Sequence, residues 1–496
     1  MNSKHIIVIG AGIGGITSAI HLARHGHRVT VIEKNSLPGG RCDRISQDGH
    51  HFDTGPTLLV MPLIYESEFA ALGASMYDLL DLQRVDPTYH LVFDDGSQLA
   101  LTSDLSSLQK QLEAMEPGSF QGFLRYMDEG RRHYHLSLDK MVYPDFRKPT
   151  DFFKLSNVPL LYQLKPLKKH YANMSIYFND PRLKAAFSFQ DVYMGLNPFE
   201  APATFSMMPY TEMAHGVWYP NGGMYQVVEA LMSLALAAGV VFSFHTEVER
   251  IDVNGSKTRG VLLAGGELLV ADAVLANADL PYVYQSLLPL DGQAKKLARK
   301  RYSCSVISFF WGVDKPYPEI APHMLFLVDD YRQNFNAIIR DLDLPEHPSL
   351  YIHSPAHLDP SMAPEGQDTL IAIVPVGHIS ENGEQNWSLM RDQARLKIFD
   401  RLRLLGIHDL EEHIKFEMNF TPLSWRKRYN LVKGATHGLC HNLTQLGYFR
   451  HDFQHPQYHN LYFTGASTRP GTGMPTAMIS GRQSAQRIMD DLAGKI

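Results

Sequence analysis

The stretch that most constrains the fold lies at residues 4–33, with the sequence KHIIVIGAGIGGITSAIHLARHGHRVTVIE. Its aliphatic run, Ile6 to Ile9, is too short for a helix and is followed by glycine, which predicts a strand buried on both faces. Apolar residues then recur at helical spacing as far as Gly26, a residue type that often ends helices. Arg28 to Ile32 predicts a second strand. The stretch therefore predicts a strand–helix–strand unit.

The turn between the first strand and the helix carries the spacing G-x-G-x-x-G. Gly10 permits the tight turn, Gly12 lets the backbone approach a pyrophosphate, and Gly15 lets helix and strand pack closely. Phosphates would bind the free N–H groups at the helix start, where the helix dipole favours anions. Glu33 follows at the end of the second strand, where it can accept hydrogen bonds from a ribose. The motif therefore predicts a bound dinucleotide, and Glu33 disfavours one with a 2′-phosphate.

Length, composition and charge limit the class of protein. A chain of 496 residues predicts two or three interleaved domains, and 44% apolar with 20% charged residues is typical of a folded globular protein. The net charge of −6 argues against a general nucleic-acid binder. Neither the three cysteines nor the histidines show metal-ligand spacing, so we predict free thiols in a reducing compartment and no metal site.

The sequence predicts neither a leader peptide nor a membrane-spanning segment. The first strand begins within five residues of Met1, which leaves no room for a cleavable signal peptide. The most apolar later stretch, residues 227–244, is interrupted by Glu229 and Gly239. It therefore predicts a buried helix followed by a strand.

Three further glycine-rich stretches stand beside predicted elements. In the first, Gly39 and Gly40 precede Arg41, which could pair with a phosphate or be an ordinary loop cation. The second is the turn DTGPT, in which Asp53 is either a turn or cap residue or part of a site. The third, residues 465–473, precedes a helix predicted to begin at Pro475. This last helix start could stabilise negative charge, as the reduced ring of a flavin requires.

Strand patterns alternate with a long helical insertion. Residues 89–101 predict a hairpin with its turn near Gly96, and residues 103–143 have helical spacing broken at Gly118. Strand patterns return at 240–276, which implies that the first domain is discontinuous. Further strands at 305–313, 350–353 and 369–376 predict a second sheet suited to bounding a pocket.

Residues 140–184 differ in charge from the rest of the chain. They carry nine lysines or arginines against three aspartates, a net charge of +6. These cations are interleaved with apolar side chains: Phe152, Phe153, Leu155, Leu160, Leu161, Tyr162, Leu164 and Leu167. Such a mixture fits either a segment lying in anionic lipid headgroups or a solvated charged face over a helical subdomain.

Taken together, the motifs resemble a known family. The relevant stretches are VIGAGIGG, the GGR triplet, DTGPT, GASTRPGTGMP, FSFQDVYMGLNPF, GVWYPNGG, VLANADL, SLYIHSPAHLDPSMAPEG and LTQLGYFR. Over nearly its whole length the chain resembles the flavin-dependent carotenoid desaturases of the bacterial phytoene desaturase type. Ser467 and Met474 depart slightly from the family's common terminal pattern, which leaves the substrate's end group and extent of oxidation open.

The resemblance implies FAD as the cofactor, with the flavin carrying the chemistry. It implies no metal and names no catalytic acid or base, and Arg41 and Asp53 are better assigned to binding and structure. The implied cofactor-binding residues are Gly10, Gly12, Gly14, Gly15, Glu33, Lys34, Gly40, Arg41, Gly55, Pro56, Thr57, Val248, Gly465, Ala466, Gly473 and Met474.

The predicted fold class is α/β and α+β: a discontinuous Rossmann-like FAD-binding domain, an antiparallel-sheet substrate domain and a helical, membrane-facing subdomain. The FAD-binding domain is predicted at 1–75, 216–285 and 425–496, and the substrate domain at 76–118 and 286–424. The helical subdomain is predicted at 119–215. A lipid-soluble substrate favours the membrane interpretation of residues 140–184, with the protein in the cytoplasm and peripheral on the inner face of the cell membrane.

The resemblance implies that the protein introduces C=C bonds into phytoene or a related acyclic carotene by hydride transfer to flavin. The electron acceptor, oxygen or a quinone, stays open. Alternatives are a later-step desaturase or terminal oxidase of the same family, and more distantly an enzyme like the amine or porphyrinogen oxidases. Rab escort and dissociation-inhibitor proteins, which bind prenylated partners without flavin, are a non-enzymatic alternative that the intact first motif and Glu33 oppose.

Overall fold

A five-stranded parallel sheet stands at the centre of the computed structural model, which describes residues 3–290 and 292–494. In spatial order its strands are Leu461–Phe463, Ala273–Ala276, His5–Ile9, Arg28–Ile32 and Val241–Ser243. The middle strand buries Ile6, Ile7 and Val8 completely, as expected for a parallel strand covered on both faces. Three distant parts of the chain thus build one sheet.

Two helices from opposite ends of the chain pack tightly on this sheet. The first is Ile13–Arg24 and the second is the last helix, Met474–Leu492. A Cβ atom added at Gly481 of the last helix would lie 2.7 Å from the Gly14 carbonyl oxygen, so only glycine allows this approach. The Ser18 hydroxyl donates to the same Gly14 oxygen at 2.7 Å. Close packing therefore holds the start of the first helix against the middle of the last one.

A seven-stranded sheet forms a second layer. Its strands, in spatial order, are Ile414–Phe420, Ser305–Val313, Asp368–Val376, Leu350–His353, His323–Leu327, Tyr89–Phe93 and Gln98–Leu101. The pairings are antiparallel except for one, between Tyr89–Phe93 and His323–Leu327. The predicted hairpin at 89–101 forms the edge of this sheet, with Gly96 in a left-handed turn (φ 79°). The helix Trp387–Arg403 covers one face of the sheet.

Three small antiparallel sheets complete the strand content of the described residues. One contains Val248–Asn254, Lys257–Leu263 and Leu268–Val270. The two others are the pairs Arg44–Gln47 with His50–Asp53 and Leu82–Val85 with Val217–Pro220.

Between residues 105 and 215 the chain is helical. The α-helices there are Leu105–Met115, Ser119–Ser137, Pro149–Phe152, Val158–Leu164, His170–Met174, Pro181–Ala186 and Met207–His215. Gly118 (φ 84°) separates the first two, as the sequence predicts. The remaining α-helices are Pro62–Ala71, Met76–Leu79, Gln226–Ala237, Leu280–Tyr282, Gly292–Ala298, Tyr331–Asn336, Leu410–His413 and Pro422–Tyr429.

The predicted fold class is confirmed, with a parallel sheet beside a largely antiparallel one. In the stretch 227–244, the helix Gln226–Ala237 ends before the strand Val241–Ser243. No helix among residues 3–290 and 292–494 is both long and apolar enough to cross a bilayer. The domain boundaries and the membrane-facing character of the helical region stay predictions.

Candidate functional site

A cavity of about 560 Å³ runs from the parallel sheet to the second sheet. The first and last helices both begin at its wall, after Gly12 and Gly473, and neither start has a side-chain cap. The first-turn N–H groups of an uncapped helix need an acceptor, and together with the helix dipole they favour an anion. This end of the cavity therefore suits a phosphate-containing ligand.

The cavity collects the predicted cofactor residues. All of them line it except Gly15: Gly10, Gly12, Gly14, Glu33, Lys34, Gly40, Arg41, Gly55, Pro56, Thr57, Val248, Gly465, Ala466, Gly473 and Met474. Gly15 instead lies where a Cβ atom would come within 2.3 Å of the Gly10 carbonyl oxygen. It permits the contact between helix and strand that the motif predicts for its third glycine.

One asparagine joins the two glycine-rich stretches. Asn277 follows the strand Ala273–Ala276 and donates from Nδ2 to the Gly10 carbonyl oxygen at 3.1 Å. Cβ atoms added at Gly14 or Gly465 would lie 3.0 and 2.6 Å from Asn277 Oδ1. Glycine at these positions therefore lets the Asn277 amide pack directly against both stretches. Without side chains, the two stretches present a bare backbone at the cavity wall, which a flat or anionic ligand can approach closely.

Glu33 has a structural role that the motif does not predict. Its carboxylate accepts from the backbone N–H groups of Ala11 at 2.8 Å and Asn35 at 2.9 Å. The side chain is only 6% exposed, and burial raises the pKa of Glu33 while the two N–H groups oppose the shift. Glu33 thus fixes the glycine loop and retains lone pairs for ribose hydroxyls.

Lys34 and Arg41 approach the same end of the cavity. Lys34 Nζ donates to Asn430 Oδ1 at 2.7 Å and to a backbone carbonyl. Arg41 Nη1 donates to the Thr436 carbonyl oxygen at 2.7 Å, and within the described residues its guanidinium has no ion pair. Burial lowers the pKa of Arg41, opposed by Asp279. A half-buried guanidinium with free donors fits a phosphate.

Asp53 accepts hydrogen bonds from the neighbouring backbone. It accepts from the N–H groups of Met224 at 2.8 Å and Tyr225 at 3.1 Å, just before the helix Gln226–Ala237. Burial raises the pKa of Asp53 to about 7. Of the two interpretations left open by the sequence, the contacts favour a turn or cap residue.

Away from the glycines the cavity wall is apolar. Its side chains include Leu58, Val60, Met61, Phe189, Val192, Met194, Met207, Met208, Leu325, Leu327, Phe335, Ile338, Leu350 and Ile373. Two groups of hydroxyls interrupt this wall. Thr57 and Tyr351 hydroxyls lie 2.8 Å apart, and the hydroxyls of Tyr89 and Tyr193 contact each other. The wall suits a long apolar ligand whose reacting part lies near the glycine-rich end.

Comparison with known proteins assigns the chain to a family. The model of the flavin-containing amine oxidoreductases matches residues 13–489. The chain belongs to that family. A zeta-carotene-forming phytoene desaturase from Myxococcus xanthus is 41% identical over 98% of this chain and 94% of its own length. A 4,4′-diapophytoene desaturase (4,4′-diaponeurosporene-forming) from Staphylococcus haemolyticus is 32% identical over 98% and 99%.

Solved structures show the same fold. Putrescine oxidase with bound putrescine superposes with a TM-score of 0.65 at 16% identity, over 98% of this chain and 99% of that one. The recognised resemblance, the oxidoreductase class and the predicted FAD cofactor are confirmed through the family. The uncapped helix starts, the bare glycine backbone and Arg41 fit such a cofactor.

Several residues of the site could not be predicted from the sequence. The Asn277 side chain and the Thr436 carbonyl oxygen reach the cofactor end through contacts between distant parts of the chain. Asn35 contributes its backbone N–H to Glu33, two residues before it. Asp279 accepts from the Ser467 hydroxyl at 2.7 Å and the Val432 N–H at 3.0 Å. The only sequence signal for Asn277 and Asp279 is their position directly after a short buried strand, where ligands of α/β sheets often bind.

Replacing Gly15 with alanine should destabilise the protein by about 1–3 kcal/mol and reduce its flavin content, since the new Cβ atom would overlap the Gly10 carbonyl. Gly265→Ala provides the control, because that position has open space and no left-handed φ. Chemical denaturation and the flavin-to-protein absorbance ratio measure the two effects. Equal stability and flavin content in both variants would contradict the packing role of Gly15.

Proposed function

We propose that the protein is an FAD-dependent desaturase that introduces C=C bonds into phytoene or a related acyclic carotene. The observation that carries this proposal is one continuous cavity that begins at the bare glycine backbone and continues between apolar walls. The relatives named as phytoene and diapophytoene desaturases support it. A carotene has no charged group for a protein to bind, so an apolar wall of this kind is the recognition it needs.

Different residues would bind the cofactor and the substrate in this reaction. When bound, the flavin supplies the hydride-accepting chemistry. Gly12, Glu33 and Arg41 would hold its phosphates and ribose, and the N-terminus of Met474–Leu492 would stabilise negative charge near the ring. The apolar wall orients the polyene and excludes water.

Expression in a phytoene-accumulating host tests the proposal. We expect phytoene to be replaced by more desaturated, coloured carotenes on pigment chromatography, because each new double bond lengthens the conjugated system. A Gly12→Val variant, whose side chain would meet Asn277 Nδ2 and obstruct the glycine loop, should leave phytoene unchanged. Unchanged phytoene with the flavin-loaded wild type would contradict the substrate assignment.

We propose further that residues 140–184 rest on anionic lipid, at the inner face of the cell membrane. Large apolar side chains there are strongly exposed: Leu155 (91%), Tyr162 (86%), Leu167 (80%), Phe153 (60%) and Val158 (58%). Lys148 and Lys154, which are exposed, and Lys168, which is half-buried, lie among them and form no ion pair within the described residues. An exposed apolar surface with unpaired cations matches the headgroup region of an anionic bilayer.

The same region adjoins the cavity. Met61 and Met208 of the cavity wall belong to one apolar cluster with Leu138, Val142 and Tyr143. Leu160 and Leu164, by contrast, are buried and belong to the protein interior. A membrane-bound surface next to the cavity wall would leave only a short distance between the bilayer, where the substrate is dissolved, and the cavity.

Membrane binding should depend on both surface charge and the exposed side chains. Changing Lys148, Lys154 and Lys168 to glutamine should weaken binding to anionic liposomes at least tenfold, at about 1 kcal/mol per cation, and added salt should do the same. The matched control changes three exposed lysines elsewhere, Lys110, Lys257 and Lys295. Cosedimentation measures both, and equal binding by the two triple variants would contradict the proposed surface.

A further inference from the structure

A buried carboxylate that pairs with no cation of the described chain lies behind the apolar part of the cavity. Glu212, on the helix Met207–His215, is only 3% exposed. Its Oε2 atom accepts from Gln190 Nε2 at 3.0 Å. Its Oε1 atom has no partner that meets full hydrogen-bond geometry in the described part of the chain. Buried carboxylates are normally paired or fully hydrogen-bonded, so this arrangement requires a functional explanation.

Two tyrosines connect Glu212 with the cavity. The Tyr193 hydroxyl interacts with the Glu212 carboxylate and favours its charged form. The Tyr89 hydroxyl contacts that of Tyr193, and both tyrosines line the cavity. Glu212 itself lies behind them. The three groups form a chain of exchangeable protons that leads from the apolar wall to a carboxylate.

Among residues 3–290 and 292–494, no positively charged group is placed to hold Glu212 ionised. The titratable groups that interact with it are Tyr193, Tyr89 and Tyr126. Burial raises the pKa of Glu212 to about 7, opposed by hydrogen bonds from Gln190 and Tyr193. A carboxyl group that titrates near neutral pH can take up and release a proton during turnover.

Other buried carboxylates differ from Glu212 in their contacts. Asp53 accepts two backbone N–H groups, and Asp279 accepts a hydroxyl and a backbone N–H. Their oxygens are thus used by the fold. Glu212 combines an unpartnered oxygen with a hydroxyl connection to the apolar cavity wall.

We propose that Glu212 receives, through the Tyr193 hydroxyl, the proton that the substrate loses when a new double bond forms. This inference rests on the proposed desaturase function. When bound, the flavin would supply the acceptor for one substrate hydrogen with both electrons of its C–H bond. The neighbouring C–H bond gives a proton, and its electron pair becomes the new π bond. Tyr193 accepts this proton as it passes its own to Glu212, which becomes a neutral acid. Glu212 acts through Tyr193 and is a positioning residue.

Rates of double-bond formation in the absence of oxygen test this assignment, with phytoene in liposomes and flavin-loaded protein. We expect the wild-type rate to rise with pH through about 7, since the carboxylate must be ionised to accept the proton. Glu212→Gln should lower the rate on the order of 100-fold and remove this pH dependence. Glu212→Asp should restore part of the rate together with the pH dependence. Tyr193→Phe should resemble Glu212→Gln.

Tyr210→Phe is the matched control, because Tyr210 lies on the same helix and does not line the cavity. Its rate should equal that of the wild type. Infrared titration of the substrate-free protein gives a second readout: one carboxylic-acid band that titrates near neutral pH should shift in Glu212→Asp and be absent in Glu212→Gln, while the band of Asp53, whose pKa is also about 7, stays unchanged. If Glu212→Gln does not fold, the infrared comparison of the wild type with Glu212→Asp still tests the assignment.

Wild-type rate and pH dependence in Glu212→Gln would overturn the assignment, and so would titrating carboxylic-acid bands that are the same in the wild type and the Glu212 variants. A wild-type protein that retains flavin yet desaturates no carotene would instead overturn the proposed function, and with it this inference. The two failures are therefore distinguishable from each other.

Discussion

Replacing Glu33 with alanine should weaken FAD binding on the order of 100-fold, so that the purified variant is largely colourless. The change removes the acceptor of the Ala11 and Asn35 N–H groups and leaves the glycine loop without its anchor. It also removes the carboxylate placed for the ribose. Hydrogen bonds to a charged group are worth about 1.5–3 kcal/mol each, which corresponds to this loss of affinity.

The control for this prediction is Glu249→Ala, an exposed carboxylate on the nearby strand Val248–Asn254. Titration of the apoprotein with FAD, followed by fluorescence, measures the dissociation constants. Glu33→Gln should lie between the two, since an amide oxygen keeps one acceptor. Wild-type affinity in Glu33→Ala would contradict the role of this carboxylate.

Enlarging Val192 should block the substrate without removing the flavin. Val192 lies in the segment Phe189–Met194 and lines the apolar wall. A phenylalanine there would fill space that the carotene needs, and we expect kcat/KM for phytoene to fall at least tenfold, equivalent to about 1.4 kcal/mol. The flavin spectrum should stay unchanged, because Val192 packs against the apolar cluster of the second sheet, which includes Phe189 and Leu325.

Val192→Ala is the matched control, since it removes side-chain volume at the same position. Its kcat/KM should remain within a few-fold of the wild type. Unimpaired desaturation in Val192→Phe would show that the substrate does not occupy this part of the cavity.

The elements that could be predicted from sequence are those governed by local rules. The first strand, helix and second strand follow from residue periodicity, and Gly26, Gly96 and Gly118 all adopt the left-handed conformation expected of them. The glycine loop is local as well. The residues that contact this loop are distant in sequence. Asn277, which is 267 residues from Gly10, reaches it only because the strand Ala273–Ala276 joins the same sheet.

Composition alone could not show which side chains of residues 140–184 are exposed and which are buried. Leu160 and Leu164 alternate with strongly exposed neighbours such as Leu161 and Tyr162 on one short helix, Val158–Leu164. Their burial depends on what the helix packs against. The Tyr89, Tyr193 and Glu212 group escapes prediction for the same reason, since tertiary packing alone brings the three side chains together.

The absorbance of the flavin-loaded protein, mixed without oxygen with liposomes that contain phytoene, tests whether a carotene reduces the flavin. We expect bleaching of the flavin band together with one new double bond per flavin reduced, and no bleaching by putrescine. A flavin that putrescine bleaches and phytoene leaves oxidised would contradict the proposed function.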